Sequence, residues 1–338
     1  MTKRLIAHIG THKTGSSAIQ AVLSQAGEDL AQAGVLYPRS GQVNSGGHLN
    51  LCWQISEDPR FDAARGTVDD LVSEVRRSEA EVAVISAETL TSRPRNPIYA
   101  EFIADLAGRI FADEVLVVAY VRPQWEYLDS LYTQRVKRGY IDDTYVTFIE
   151  ANHDQPRLDY VTTFDQWERG SGEALRLRPY DRASLRDGDV VADFLSTSGL
   201  ERLDLGTATA NPRPGARAVE ALRLLHRRLA EQDVDPADHL ALFQRVGSAV
   251  EERFPRDPPY RGMTYGLAEQ LAEHYQPANS ALVSHHRSLS HVFALPPPEE
   301  FPPASTWSLD TADPEECRAV LEIVESTVLA AISRGAVP

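Results

Sequence analysis

Three short apolar runs stand out along the chain: RLIAHI over residues 4–9, VAVIS over 82–86 and VLVVAYV over 115–121. Near-continuous runs of this length, with no alternating polar positions, predict strands covered on both faces, as in a parallel sheet. Helical spacing takes over between them. Beyond Ser17, positions Ile19, Val22, Leu23 and Leu30 mark one helix, and the same periodicity returns over 68–78 and 98–111. A fourth strand is predicted at 174–179 (ALRLRP), then a helix over 188–198 that stops at Gly199, a residue type common just past a helix end. This alternation predicts an α/β fold, a parallel β-sheet flanked by helices.

From residue 216 onward the pattern becomes helical. Val219, Leu222, Leu225 and Leu229 form one apolar stripe, and a further helix is predicted at 263–275. The run LPPPEEFPP at 295–303 predicts an extended strap on the surface ahead of a last helix at 313–334. The expected organisation is one domain over 1–292, with the strap and helix of 293–338 packed on it.

Composition narrows the function classes. At 338 residues and 42% hydrophobic content the chain can bury a sizeable core. Cys52 and Cys317, its two cysteines, form neither a disulfide framework nor a zinc spacing. A charged start leads straight into the first strand, and no stretch approaches the roughly 18 to 20 apolar residues of a membrane span. A cytoplasmic protein without a membrane span is therefore expected. The net charge of −15, from 34 basic and 49 acidic residues, disfavours nonspecific binding to nucleic acid or an anionic membrane. An anionic ligand must then be caught by a local positive site. Only Lys3, Lys13 and Lys137 are lysines, so a lysine inside a motif is informative.

Lys13 lies in such a motif. GTHKTGSS (10–17) falls between a predicted strand and a predicted helix, where successive backbone N–H groups and the helix N-terminus converge on an anion. Gly10, Gly15 and Ser17 fit the Walker A pattern, but Ser16 occupies the lysine position and the lysine has moved to Lys13. No predicted strand ends in the aspartate that would hold Mg²⁺ beside the loop. Both departures point to metal-independent group transfer.

GTHKTGSS resembles the 5′-phosphosulfate loop of the sulfotransferases that use 3′-phosphoadenosine 5′-phosphosulfate (PAPS), nearer to their bacterial and glycan-modifying branch than to the cytosolic one. The resemblance implies a P-loop-type sheet, PAPS as cosubstrate, adenosine 3′,5′-bisphosphate (PAP) as product, and no metal. It implies that Lys13 contacts the bridging oxygen and the transferring sulfuryl group. His12, Thr14, Gly15, Ser16 and Ser17 would join it around the 5′-phosphate. Arg122 and Ser130, in YVRPQWEYLDSLY (120–132), match the family's R-x7-S pair for the 3′-phosphate. YRGMTYGLAEQLAEHYQPANSALV (260–283) resembles the segment that closes over that phosphate, which implies the same work for Arg261 and Gly262, here without the neighbouring lysine of fuller forms. Smaller echoes at 176–185 and 189–200 extend the likeness over roughly residues 4–283.

Sulfuryl transfer needs an acceptor hydroxyl in line with the leaving phosphate and a base for its proton. The acceptor stays open among saccharide, lipid and natural-product hydroxyls, with the loops at 38–66 and 138–172 expected to line its pocket. Two bases qualify: His48 in NSGGHLNL (44–51) and Glu88 in VISAETL (84–90). Preference goes to His48, because imidazole titrates near pH 6.5 and an ordinary glutamate near 4.3. His285, His286 and His291 form no metal constellation and are expected on the surface. Two other readings fit the same loop: an ATP-dependent phosphotransferase, and a nonenzymatic nucleotide-binding protein.

Overall fold

The computed structural model describes residues 3–92, 96–171, 174–206, 213–232 and 236–335. The chain opens with β1 (Lys3–His8), α1 (Ser16–Gln25), α2 (Gly27–Gln32), β2 (Val35–Leu36), α3 (Leu49–Ile55), α4 (Val68–Arg77) and β3 (Val82–Ser86). Next come α5 (Asn96–Ile110), β4 (Ala112–Val121), α6 (Gln124–Lys137), α7 (Tyr145–Asn152), α8 (Tyr160–Ser171), β5 (Ala174–Pro179) and α9 (Val190–Thr197). Last are α10 (Ala216–Ala230), α11 (Pro236–Arg253), α12 (Tyr265–His285) and α13 (Pro314–Gly335).

These elements make two compact units, each drawn from three separate stretches of the chain. The first comprises residues 1–123, 155–210 and 274–294, and the second 124–154, 211–273 and 295–338.

The first unit is built on a five-stranded sheet of order β2-β3-β1-β4-β5, with every neighbouring pair parallel. Period two decides which face each side chain enters. On β4, Val115, Val117, Ala119 and Val121 join one core with α4, α5 and α8, while Leu116, Val118 and Tyr120 join another with α1 and α9. Each of the valines and leucines among them is worth about 1.5–3 kcal/mol when buried. On β1 the odd positions Leu5 and Ala7 take the first face and Ile6 the second. His8 follows Ile6, and its ring stands against those of Tyr120 and Phe194, with centroids at 6.1 and 5.4 Å.

Connections reverse direction at the centre of this sheet. The path from β1 leads to β2 on one side, and that from β4 leads to β5 on the other. The carboxyl ends of β1 and β4 therefore flank a crevice of the kind in which open α/β sheets bind ligands.

The second unit is helical, as the stripe at 219–229 predicts. Val219, Leu222, Leu225 and Leu229 of α10 are buried, and α10 packs against α6, α11 and α13. Ser305, beyond the proline-rich run, exchanges backbone hydrogen bonds with Arg261, and Trp307 donates its indole N–H to Glu316 of α13.

Two expectations are corrected. The loop expected at 138–172 carries α7 and α8 within its described residues, and α3 lies within 38–66. The helix expected to end at 275 continues as α12 to His285, with Pro277 inside it. Among the described residues, no helix is long and apolar enough to cross a membrane.

Candidate active site

The β1–α1 loop sits at the crevice mouth. Gly10 and Gly15 adopt positive φ (52° and 79°), and so does Lys13 at 70°, an uncommon backbone for a side chain with a Cβ. Gly15 has no room for more: a Cβ there would lie 2.9 Å from Tyr180 and 2.9 Å from Val190. Thr14 is fully buried and donates its hydroxyl to the Thr11 carbonyl at 2.6 Å. Thr11 in turn donates to the Tyr120 carbonyl on β4 at 2.9 Å. The turn is thus anchored to both central strands.

At α1 the first backbone bonds come from Ala18 and Ile19, which both donate to the Gly15 carbonyl. The cap residue is Gly15, with no side-chain cap and no acid in the first turn. Thr67, Thr144 and Asp189 cap α4, α7 and α9, whereas α2, α3 and α10, like α1, have no side-chain cap. A helix start left uncapped presents its first amides, and the positive end of its dipole, to an anion. Buried Ser16 and exposed Ser17 occupy that first turn.

Arg122, just past β4, is buried and donates from Nη1 to the Lys13 carbonyl at 2.9 Å. Its guanidinium also stands over the Tyr180 ring at 5.6 Å. Lys13 and Arg122, 109 residues apart in sequence, are therefore brought together on the two sides of the crevice. His12 is half-buried, its Nε2 3.5 Å from the Ser92 hydroxyl.

The two candidate bases have different fates. Glu88 is half-buried in the turn after β3, and a Cβ on Gly10 would meet the Glu88 Cβ at 3.3 Å, so its stem lies against the loop. Gln20 of α1, fully buried, donates to the Glu88 carboxylate at 2.8 Å.

His48 is 1% exposed, and both ring nitrogens are committed to backbone. Nδ1 accepts from the Ser86 amide at 3.1 Å, which leaves Nε2 to donate to the Pro38 carbonyl at 2.9 Å. Burial lowers its pKa to about 4, against smaller raising effects of those two bonds. The preference for His48 is corrected on this ground: a base needs a free lone pair within reach of an acceptor, and this ring is a strut between β3 and the segment at Pro38. The NSGG turn before it is fixed as well, with Gly46 at φ 81° pressed against Gln20 and Ser24 of α1. Tyr37 closes that turn by donating to the Gly46 carbonyl at 2.8 Å.

Sequence reasoning missed His8. It is fully buried beneath the loop, its Nδ1 2.7 Å from the Ser86 hydroxyl and its pKa lowered by burial to about 3. It passed as one more strand residue, since a histidine within RLIAHI leaves no distinctive spacing.

Ser130, Arg261 and Gly262 belong to the second unit. Ser130 is half-buried on α6, and its carbonyl accepts from Thr133 at 3.0 Å. The Gly262 amide is already taken: it donates to Asp129 Oδ1 at 3.0 Å, and Asp129 is paired on its other oxygen with Arg213. The backbone N–H of Gly262 is thus engaged within the second unit. Arg261 is half-buried and spends its backbone on Ser305. His291 is exposed as expected, but His286 is 12% exposed and 3.2 Å from Glu168, a correction to its surface reading. Among the described residues, no three His, Cys, Asp or Glu are grouped to hold a metal ion.

Known proteins add little. No family model matches the chain, and no solved structure matches it. It is similar to a protein of Archaeoglobus fulgidus described as "Uncharacterized protein", 27% identical over 146 residues, which cover 41% of this chain. The match spans 39% of that protein's length.

Proposed function

We propose that the chain is a sulfotransferase that moves the sulfuryl group of PAPS to an acceptor hydroxyl. The observation that carries this reading is Lys13, in a left-handed turn between β1 and an uncapped α1, with its carbonyl held by Arg122 at the end of β4. The uncapped amides, with Thr14 and Ser16 beside them, suit a 5′-phosphate. The Lys13 ammonium suits the oxygen that bridges phosphate and sulfur, where negative charge grows as the bond breaks. Arg122, with its planar fork, suits a second phosphate.

Glu88 is the base in this reading. The acceptor oxygen forms the new bond to sulfur as the bridging S–O bond breaks, its proton passes to the Glu88 carboxylate, and PAP departs with the bond pair. Gln20 positions Glu88 from the loop's own helix.

The test is transfer of label from PAPS to a panel of saccharide, lipid and natural-product alcohols. Lys13→Ala is expected to lower turnover at least about 100-fold while nucleotide binding persists, because lysine acts on transition-state charge. A Lys13→Ala protein of normal rate would overturn the reading.

A further inference from the structure

Away from the crevice, on the outer edge of the sheet, β5 and the last turn of α9 line an open groove of about 610 Å³ with residues 285–288. Four arginines line it, Arg176, Arg178, Arg186 and Arg287, against a single carboxylate, Asp193. In a chain of net charge −15 that local excess is unusual.

One pair cancels: Arg178 Nη2 meets Asp193 Oδ1 at 2.5 Å. Two of the others are held in place. Arg176 donates from Nη1 to the Thr197 carbonyl at 3.1 Å, and Arg186 from Nη1 to the Ser196 hydroxyl at 2.8 Å. A guanidinium carries five N–H donors, so each keeps several for a ligand while the cost of ordering it is already met. The negative end of α9 does not oppose an anion here, because Arg176 and Arg4 cover its last carbonyls, Arg4 reaching Ser198 at 2.7 Å. Nearby carboxylates are weakly placed or engaged: Asp187 is 3.9 Å from Arg186, and Glu168 meets His286 at 3.2 Å.

We infer that this groove is a second anion site, built for the phosphate or sulfate group of a small ligand, with Arg176, Arg186 and Arg287 as its donors. It is separate from the loop at Gly15. Gly15 meets α9 at Val190, whereas the groove donors Arg186 and Arg176 are held at Ser196 and Thr197, about 9 Å further along the axis at 1.5 Å per residue. One anionic group cannot occupy both.

The experiment is equilibrium dialysis of the full chain with labelled inorganic sulfate at fixed ionic strength, and in parallel with glucose 6-sulfate. Wild type is compared with Arg176→Ser/Arg287→Ser, two exposed positions whose loss should leave the thermal midpoint in place. The double variant is expected to weaken the groove component at least tenfold and to leave any loop component as it was. Arg186→Ser alone should weaken it several-fold. Equal binding of sulfate and ester would assign the site to the free anion, and a tighter ester to an esterified ligand. Sulfate and ester both bound by the double variant as by wild type would overturn the site, whatever becomes of PAPS at the loop.

Discussion

Asp193→Ala tests how α9 is tied to the sheet beneath the site. The carboxylate is 2% exposed and accepts four hydrogen bonds: Tyr120 hydroxyl at 2.9 Å, Arg178 at 3.0 and 2.5 Å, and the Arg186 amide at 3.1 Å. Removing it takes from the Tyr120 hydroxyl, which has no exposure, its carboxylate acceptor, at a cost of about 1–3 kcal/mol. It also strips Arg178 of its partner. Breaking a buried pair costs about 3–5 kcal/mol, but this arginine is 31% exposed and regains water, so about 2 kcal/mol is the fair share. The sum is about 4 kcal/mol. Urea unfolding should show it, and a double-mutant cycle should locate it. Tyr120→Phe alone is expected to cost about 1 kcal/mol, and the pair less than the sum by about 1–2 kcal/mol, because no hydroxyl then remains to lose its acceptor. An Asp193→Ala variant within about 1 kcal/mol of wild type, or strict additivity, would refute the reasoning.

Two further outcomes concern the loop and the histidines. Gly15→Ala should destabilise by about 2–4 kcal/mol in urea unfolding, from a left-handed φ of 79° and the 2.9 Å approaches to Tyr180 and Val190, whereas Gly27→Ala, with open space, should be neutral or slightly stabilising. His8 and His48 have pKa values lowered to about 3 and about 4, so between those values and 6.5 the unfolded chain binds more protons and stability falls with falling pH. Each histidine should add a slope of up to about 1.4 kcal/mol per pH unit, read from urea midpoints at pH 7, 6 and 5; His48→Asn should flatten the profile, and a flat wild-type profile would count against both burials.

The parts of the site that sequence makes legible are those whose signal is local. GTHKTGSS carries its glycines, its lysine and its strand and helix flanks within one segment, and the loop takes the expected form between β1 and α1. Arg122 was legible for a related reason, since a cation at the end of an apolar run marks the ligand edge of a sheet. What stayed hidden depends on distant partners. His48 reads as a base because imidazole chemistry suits one, yet its nitrogens are spent on Pro38 and on Ser86, 38 residues away. Gly262 has the same history, its amide claimed by Asp129 across 133 residues. The two-residue β2 is too short to carry a period, and α12 outruns its expected end because a proline only weakens a helix that packing sustains.

The choice of base gives the sharpest division between these readings. With its Nδ1 lone pair held by the Ser86 amide and its Nε2 proton by Pro38, His48 must break a buried hydrogen bond before it can take a proton. Its pKa of about 4 also leaves it a weaker base than free imidazole. Glu88 has no such buried bond to break, since one oxygen receives Gln20 and its stem rests on Gly10 at the loop. A positioned base contributes about 10²–10⁴-fold. Glu88→Gln is therefore expected to lower kcat/KM by at least about 100-fold with KM for PAPS little changed. His48→Asn, which can keep an acceptor toward Ser86, should stay within about tenfold in kcat/KM and lose stability instead. Gln20→Leu separates position from chemistry: it leaves the carboxylate but frees its orientation, so kcat should fall by about tenfold with KM for PAPS little changed, and Gln20→Asn should recover part of the loss. A His48→Asn enzyme reduced 100-fold beside a Glu88→Gln enzyme of near-normal rate would return the role to the histidine and show that the strut opens during turnover.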